Sequence, residues 1–155
     1  MRIDIDSIRD RTSTVREYVD NAEAEARRIM LEKYASYRLQ SEALSSLRTL
    51  ASDLTVVVFS AAWCKDCREA IPVLLRLEEE AGLNIRVFGT IKTAPLNPNR
   101  RWAIPPSPPE MEAWGVTHIP WIVIIDKSGE QLGTIVERPK VKQTIEEEIL
   151  HIVAK

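Results

Sequence analysis

The apolar positions fall into two rhythms that change near residue 51. In the first stretch, Val15, Tyr18, Val19, Ala22, Ala26, Ile29, Met30, Tyr34 and Tyr37 recur in steps of three and four, among charged residues and without a single proline or glycine. That spacing predicts one long amphipathic helix, with Thr12, Ser13 and Thr14 as candidate N-caps. Leu44, Leu47 and Leu50 form the stripe of a second helix that starts near Ser41. The alternation Arg2-Ile3-Asp4-Ile5-Asp6 suits a short edge strand.

From Thr55 the pattern becomes α/β. Thr55 to Phe59 is apolar enough for a buried strand, and Lys65 to Ala81 has a helical pattern closed by Gly82. Pro72 lies inside that helix and should kink it, since it has no N–H and clashes with the preceding turn. Asn84 to Phe88 alternates as a second strand, and residues 89–109 form a proline-rich loop. Ser107-Pro108-Pro109-Glu110 has capping-box spacing and should start a short helix through Trp114, ended by Gly115. Trp121 to Ile125, the turn Asp126 to Gly129, and Gln131 to Val136 read as a hairpin. A terminal helix over Val141 to Ala154 should turn Val141, Ile145, Ile149 and Ile152 inward. The expected organisation is a helical N-terminal extension, residues 1–51, followed by an α/β domain, residues 52–155, with a mixed sheet flanked by helices.

Composition narrows the function. The 155 residues carry a formal charge of -2, which gives no reason to expect a nucleic-acid partner. No apolar run approaches a membrane span, and the first residues show no apolar signal region, so a cytosolic, membrane-free protein is expected. In that setting two close cysteines point to catalysis or metal binding rather than to a structural bridge.

The only two cysteines stand in Trp63-Cys64-Lys65-Asp66-Cys67, directly after the first predicted strand. A Cys-x-x-Cys pair where a buried strand turns into a helix reads as a redox dithiol. Cys64 would sit at the helix N-terminus, where unpaired N–H groups and the helix dipole favour a thiolate. Cys67 would lie one turn deeper on the same face. Lys65 should lower the Cys64 pKa and Asp66 should oppose it.

The order of these segments resembles the thioredoxin family. The resemblance is carried by Ala62-Trp63-Cys64-Lys65-Asp66-Cys67, by Pro72 five residues after Cys67, and by Gly115-Val116-Thr117-His118-Ile119-Pro120. It extends from Thr55 to the end of the chain; the N-terminal third is unlike ordinary thioredoxin. It implies a thioredoxin-like fold with Pro120 cis and facing the dithiol. Three departures stand out: Val58 where the family keeps a buried aspartate, Lys65-Asp66 in place of Gly-Pro, and the bulky Trp121 after the proline.

The resulting reading is a thiol–disulfide oxidoreductase that reduces protein disulfides. Cys64 is the nucleophile and Cys67 the resolving thiol, with Trp63, Lys65 and Asp66 tuning them and Ile119 and Pro120 binding an extended substrate. Such a site needs neither cofactor nor metal, because electrons come by exchange from a separate reductase or a small thiol. Two cysteines supply only half of a structural zinc site. The competing reading is a protein-binding module whose N-terminal helices dock a partner or form a homodimer, with the dithiol secondary. Among other candidates, His118 reads more simply as a solvated loop residue than as a proton carrier. Lys92, Arg100, Arg101 and Trp102 read either as a selective rim or as plain loop. Glu78-Glu79-Glu80 and Glu146-Glu147-Glu148 read as solvated helix faces.

Overall fold

A computed structural model describes residues 2–91 and 107–155. The loop candidates Lys92, Arg100, Arg101 and Trp102 lie outside the described residues. Four strands, β1 (Leu54–Phe59), β2 (Asn84–Phe88), β3 (Trp121–Asp126) and β4 (Gln131–Val136), form one sheet in the order β2-β1-β3-β4. β1 and β2 are parallel, whereas β1–β3 and β3–β4 are antiparallel. The sheet is mixed, as the sequence pattern predicts. The parallel pair needs a crossover, which a helix and one π-helical turn, Leu77–Ala81, provide between β1 and β2.

Seven helices are described in chain order: α1 (Ile5–Ile8), α2 (Val15–Asp20), α3 (Ala24–Ser36), α4 (Ser41–Leu50), α5 (Lys65–Arg76), α6 (Glu110–Ala113) and α7 (Ile145–Val153). The single long helix expected before residue 38 is broken into α2 and α3. The reason is local capping: Glu23 is extended at φ -63°, ψ 156° and its side chain accepts from the Ala26 N–H, so it starts a new helix. α2 has its own capping box, in which Thr14 and Glu17 satisfy each other's backbone N–H groups. The expected edge strand at residues 2–6 is also absent. Asp4 accepts from the Asp6 N–H and caps α1, leaving only an isolated bridge between Arg2 and Glu130.

Three further expectations change. Pro109, not Ser107, is the residue before α6, and it makes no side-chain cap. α7 begins at Ile145 because Thr144 caps it by accepting from the Glu147 N–H; Val141 stays outside and is 60% exposed. Glu146 and Glu148 are buried rather than solvated. Glu146 accepts from the Tyr37 hydroxyl and the Gln40 N–H, while Glu148 accepts from the N–H groups of Lys140, Val141 and Lys142. A buried carboxylate is tolerated when several donors satisfy it.

One face of the sheet carries the larger core. Val56, Val58, Ile122 and Ile124 meet Ile71, Leu74 and Leu75 of α5 and Ile149 of α7 there. Val15, Val19, Met30 and Leu47, all before residue 52, lie in this same cluster. The division at 51/52 is thus a change of sequence pattern, with residues on both sides sharing one core. The other face holds Val57, Phe59, Val123 and Ile125 with Ile8, Met111, Ile119 and Cys67.

Candidate active site

The dithiol turn is built by the end of β1. Its valine run directs the chain through the sheet centre, and Phe59 anchors the exit by stacking on Phe88 at 5.0 Å and meeting Trp114 edge-on at 5.5 Å. The Ser60 N–H donates to the Phe88 carbonyl at 3.0 Å, and the Cys64 N–H to the Ala61 carbonyl at 3.1 Å. α5 then starts with Cys64 as its N-cap residue in extended conformation. Arg68 braces the turn from inside the helix, its Nε donating to the Ala62 carbonyl at 2.7 Å.

The two sulfurs occupy unlike surroundings. Cys64 is partly exposed, while Cys67 is 1% exposed. The Cys64 pKa falls to about 6, chiefly because the Cys67 thiol hydrogen-bonds to it. Burial opposes this, the first-turn N–H groups of Cys67 and Asp66 assist it, and the Asp66 carboxylate opposes it. Cys67 supplies the leading effect, ahead of the first-turn N–H groups that the sequence reading named together with Lys65. Cys67 moves the other way: burial, then the neighbouring Cys64, push its thiol well above the usual range.

The remaining predicted residues are brought to the same end of the sheet, though not all in contact with sulfur. The Ile119–Pro120 peptide is cis, and the Cys64 Sγ lies 3.7 Å from the Ile119 carbonyl oxygen. Pro120 is buried and its carbonyl accepts from the Glu137 N–H at 2.8 Å. Trp63 is 55% exposed beside Cys64, so its ring stands at the surface rather than in the core. Lys65 is exposed and Asp66 half-buried; both line a cleft of about 370 Å³ with Lys33, Glu69 and Arg138. Trp121 is half-buried against the sheet face that holds both cysteines. His118 is exposed and its ring pairs with the Thr117 hydroxyl at 3.0 Å.

Two residues near the dithiol escape sequence reading. Ser60 is fully buried, and its hydroxyl lowers the Cys67 pKa against the effect of burial. The Tyr18 hydroxyl lies 3.0 Å from the Ser60 Oγ, brought there by α2 from far away in sequence. The only signal for Ser60 was a polar residue closing an apolar strand; Tyr18 was indistinguishable from the rest of a helical stripe.

A mixed sheet whose central strand delivers a Cys-x-x-Cys pair to a helix N-terminus, opposite a cis prolyl loop, defines a thioredoxin-like α/β protein. A thioredoxin family model (Thioredoxin_9) matches residues 12–150, and the chain belongs to the thioredoxin family. The matched segment includes α2–α4, so these three helices before residue 52 lie within the family pattern, while α1 lies outside the match. The chain is 32% identical over 85 residues to the chloroplastic thioredoxin-like protein HCF164 of rice, Oryza sativa subsp. japonica. That match spans 54% of this chain and 28% of the length of the rice protein. Among solved structures, a protein of unknown function from Pseudomonas aeruginosa, PA1234, superposes with a TM-score of 0.71 at 14% identity, covering 98% of this chain and 96% of its own. An HIV epitope scaffold superposes with a TM-score of 0.66 at 17% identity, with the same two coverages of 98% and 96%. At these identities the two structures establish the shared fold alone.

Proposed function

We propose that this protein is a thiol–disulfide oxidoreductase that reduces disulfides in protein substrates. The observation that carries the reading is the division of labour between the sulfurs: a partly exposed Cys64 held toward thiolate at about pH 6, and a buried Cys67 held as thiol. Thiolate is the attacking species, so Cys64 is charged and accessible at neutral pH while its partner waits. The Cys64 thiolate attacks one sulfur of a substrate disulfide, and the other substrate sulfur leaves with the electron pair. Cys67 then attacks Cys64, forming the internal disulfide and releasing the second substrate sulfur. Two electrons pass to the substrate, and a separate reductase or small thiol returns them.

Docking is assigned to the surface around Cys64. Trp63 offers an exposed apolar face, and the Ile119–Pro120 segment lies against the sulfur, where an extended chain could pair with backbone. Lys65 and Asp66 border the neighbouring cleft and can meet charged side chains of the substrate. Insulin reduction under a dithiothreitol supply tests the reading. Wild type should accelerate precipitation, Cys64→Ser should abolish the acceleration, and Cys67→Ser should accumulate a mixed disulfide. A wild-type rate equal to dithiothreitol alone rejects it.

A further inference from the structure

Cys67 must lose a proton before it can resolve a mixed disulfide, and its surroundings resist that loss. It is 1% exposed, and burial raises its pKa. Direct delivery of the proton to solvent is therefore blocked, yet two hydroxyls lead outward from the sulfur. Ser60 is fully buried, its hydroxyl lowers the Cys67 pKa against the effect of burial, and it lies 3.0 Å from the Tyr18 hydroxyl. Tyr18 is held firmly: its ring lies so close over Gly89 that a Cβ added there would stand 2.5 Å from the ring Cε1. The same tyrosine lines an open cleft of about 460 Å³ beside α2, together with Arg11, Glu17, Asn21 and Glu23.

We propose that Ser60 and Tyr18 form a proton wire that takes the proton from Cys67 during resolution and delivers it to the cleft beside α2. The inference rests on the oxidoreductase reading above. The Cys67 S–H bond breaks as its proton passes to the Ser60 oxygen. The Ser60 proton passes to the Tyr18 oxygen, and the Tyr18 proton to water in the cleft. Each hydroxyl gains one proton and gives one, so both end neutral. The Cys67 electron pair forms the bond to Cys64. The bond between Cys64 and the substrate breaks, its pair leaves on the substrate sulfur, and that sulfur takes a proton from solvent.

The charges around the wire suit a neutral relay. Burial raises the Tyr18 pKa to about 12, with Cys67 and Cys64 adding to the rise and Arg68 of α5 opposing it. Tyr18 thus passes a proton on without holding a negative charge. Asp66 faces Cys64 from the first turn of α5, while Glu17 and Glu23 stand at the cleft where the proton emerges. Ser60, which takes the proton from the reacting sulfur, is a catalytic residue; Tyr18 acts through it.

Stopped-flow reaction of the reduced full chain with dithiobis(nitrobenzoate) separates the steps. The first thionitrobenzoate reports attack by Cys64, and the second reports resolution by Cys67. In Tyr18→Phe, which keeps the ring on Gly89, the first phase should stay within twofold of wild type. The second should slow about tenfold near pH 7, the scale of general acid–base assistance. The deficit should close as hydroxide replaces the wire at high pH, and the solvent deuterium isotope effect of the second phase should shrink. Ser60→Ala should slow the second phase likewise. A second phase matching wild type across pH, or both phases slowed equally, overturns the wire. A wild-type protein that releases no first equivalent instead brings down the oxidoreductase reading, and the wire with it.

Discussion

The two ends of α5 are held in opposite ways. At its C-terminal end, Arg76 lies 4.0 Å over the Tyr34 ring and donates to the Tyr34 carbonyl at 2.8 Å. Just beyond, Glu78 accepts from the N–H groups of Val15 and Arg16 at 2.8 and 3.0 Å, and so caps α2 from another part of the chain. Glu79 pairs with Arg16 at 2.6 Å and accepts from the Tyr34 hydroxyl. At the N-terminal end, Cys64 makes no side-chain cap and Trp63 and Lys65 stand in solvent. A helix anchored at one end can leave the N–H groups at the other to a sulfur. Anchoring residues occupy α2 and α3, so the part of the chain before residue 52 holds the reactive helix in place.

The most severe challenge to this contrast is deletion of residues 1–51. It removes Val15, Val19, Met30 and Leu47, all within 1% of full burial. Losing one such side chain costs about 2–5 kcal/mol, against a typical total stability of about 5–15 kcal/mol. The remainder should show no cooperative unfolding transition by circular dichroism and no insulin reduction. A truncated chain that melts cooperatively and keeps its activity would overturn the anchoring role. A milder test is Glu78→Ala, which leaves two N–H groups at the start of α2 without their carboxylate. It should cost about 1–3 kcal/mol in urea unfolding while leaving the dithiol rate within twofold.

Titration sharpens the other end. Iodoacetamide alkylation of Cys64 should follow a midpoint of about 6. The sign for stability follows from the shifts. Cys64 has a folded pKa below its unfolded value, so its contribution grows as pH rises from about 6 into the ordinary thiol range, and is lost as pH falls through 6. Cys67 is raised, so it subtracts stability once pH passes the ordinary thiol value of about 8.5. The difference in unfolding free energy between reduced wild type and its Cys64→Ser variant should therefore increase from pH 5 to about 8. A flat difference contradicts the thiolate assignment. The smallest effect belongs to Asp66→Asn: removing an opposing carboxylate should move the alkylation midpoint slightly downward.

The strands and the dithiol were readable because their signals are local. The valine run of β1, Pro72, Gly82 and the Asp126–Gly129 turn each act within a few residues, and the elements built from them lie within a residue or so of expectation. The failures arise where a side chain answers a distant backbone. Glu146 and Glu148 looked like a solvated triplet because their donors are at residues 37–40 and 140–142. Glu78 looked the same because its partners lie in α2. Glu23 broke a helix whose apolar spacing ran straight through it, since spacing reports a face and says nothing of where caps interrupt it. Tyr18 was assigned to that face correctly, but its hydroxyl partner is 42 residues away.

Ser13 and Val87 exchange both backbone hydrogen bonds, at 3.1 and 2.8 Å, along the side of β2 not paired with β1. That short bridge acts as a guard on the outermost strand, whose exposed donors and acceptors would otherwise invite another chain to add on. A protein clipped between Ser13 and α2 should consequently self-associate before it denatures, by stacking β2 against β2.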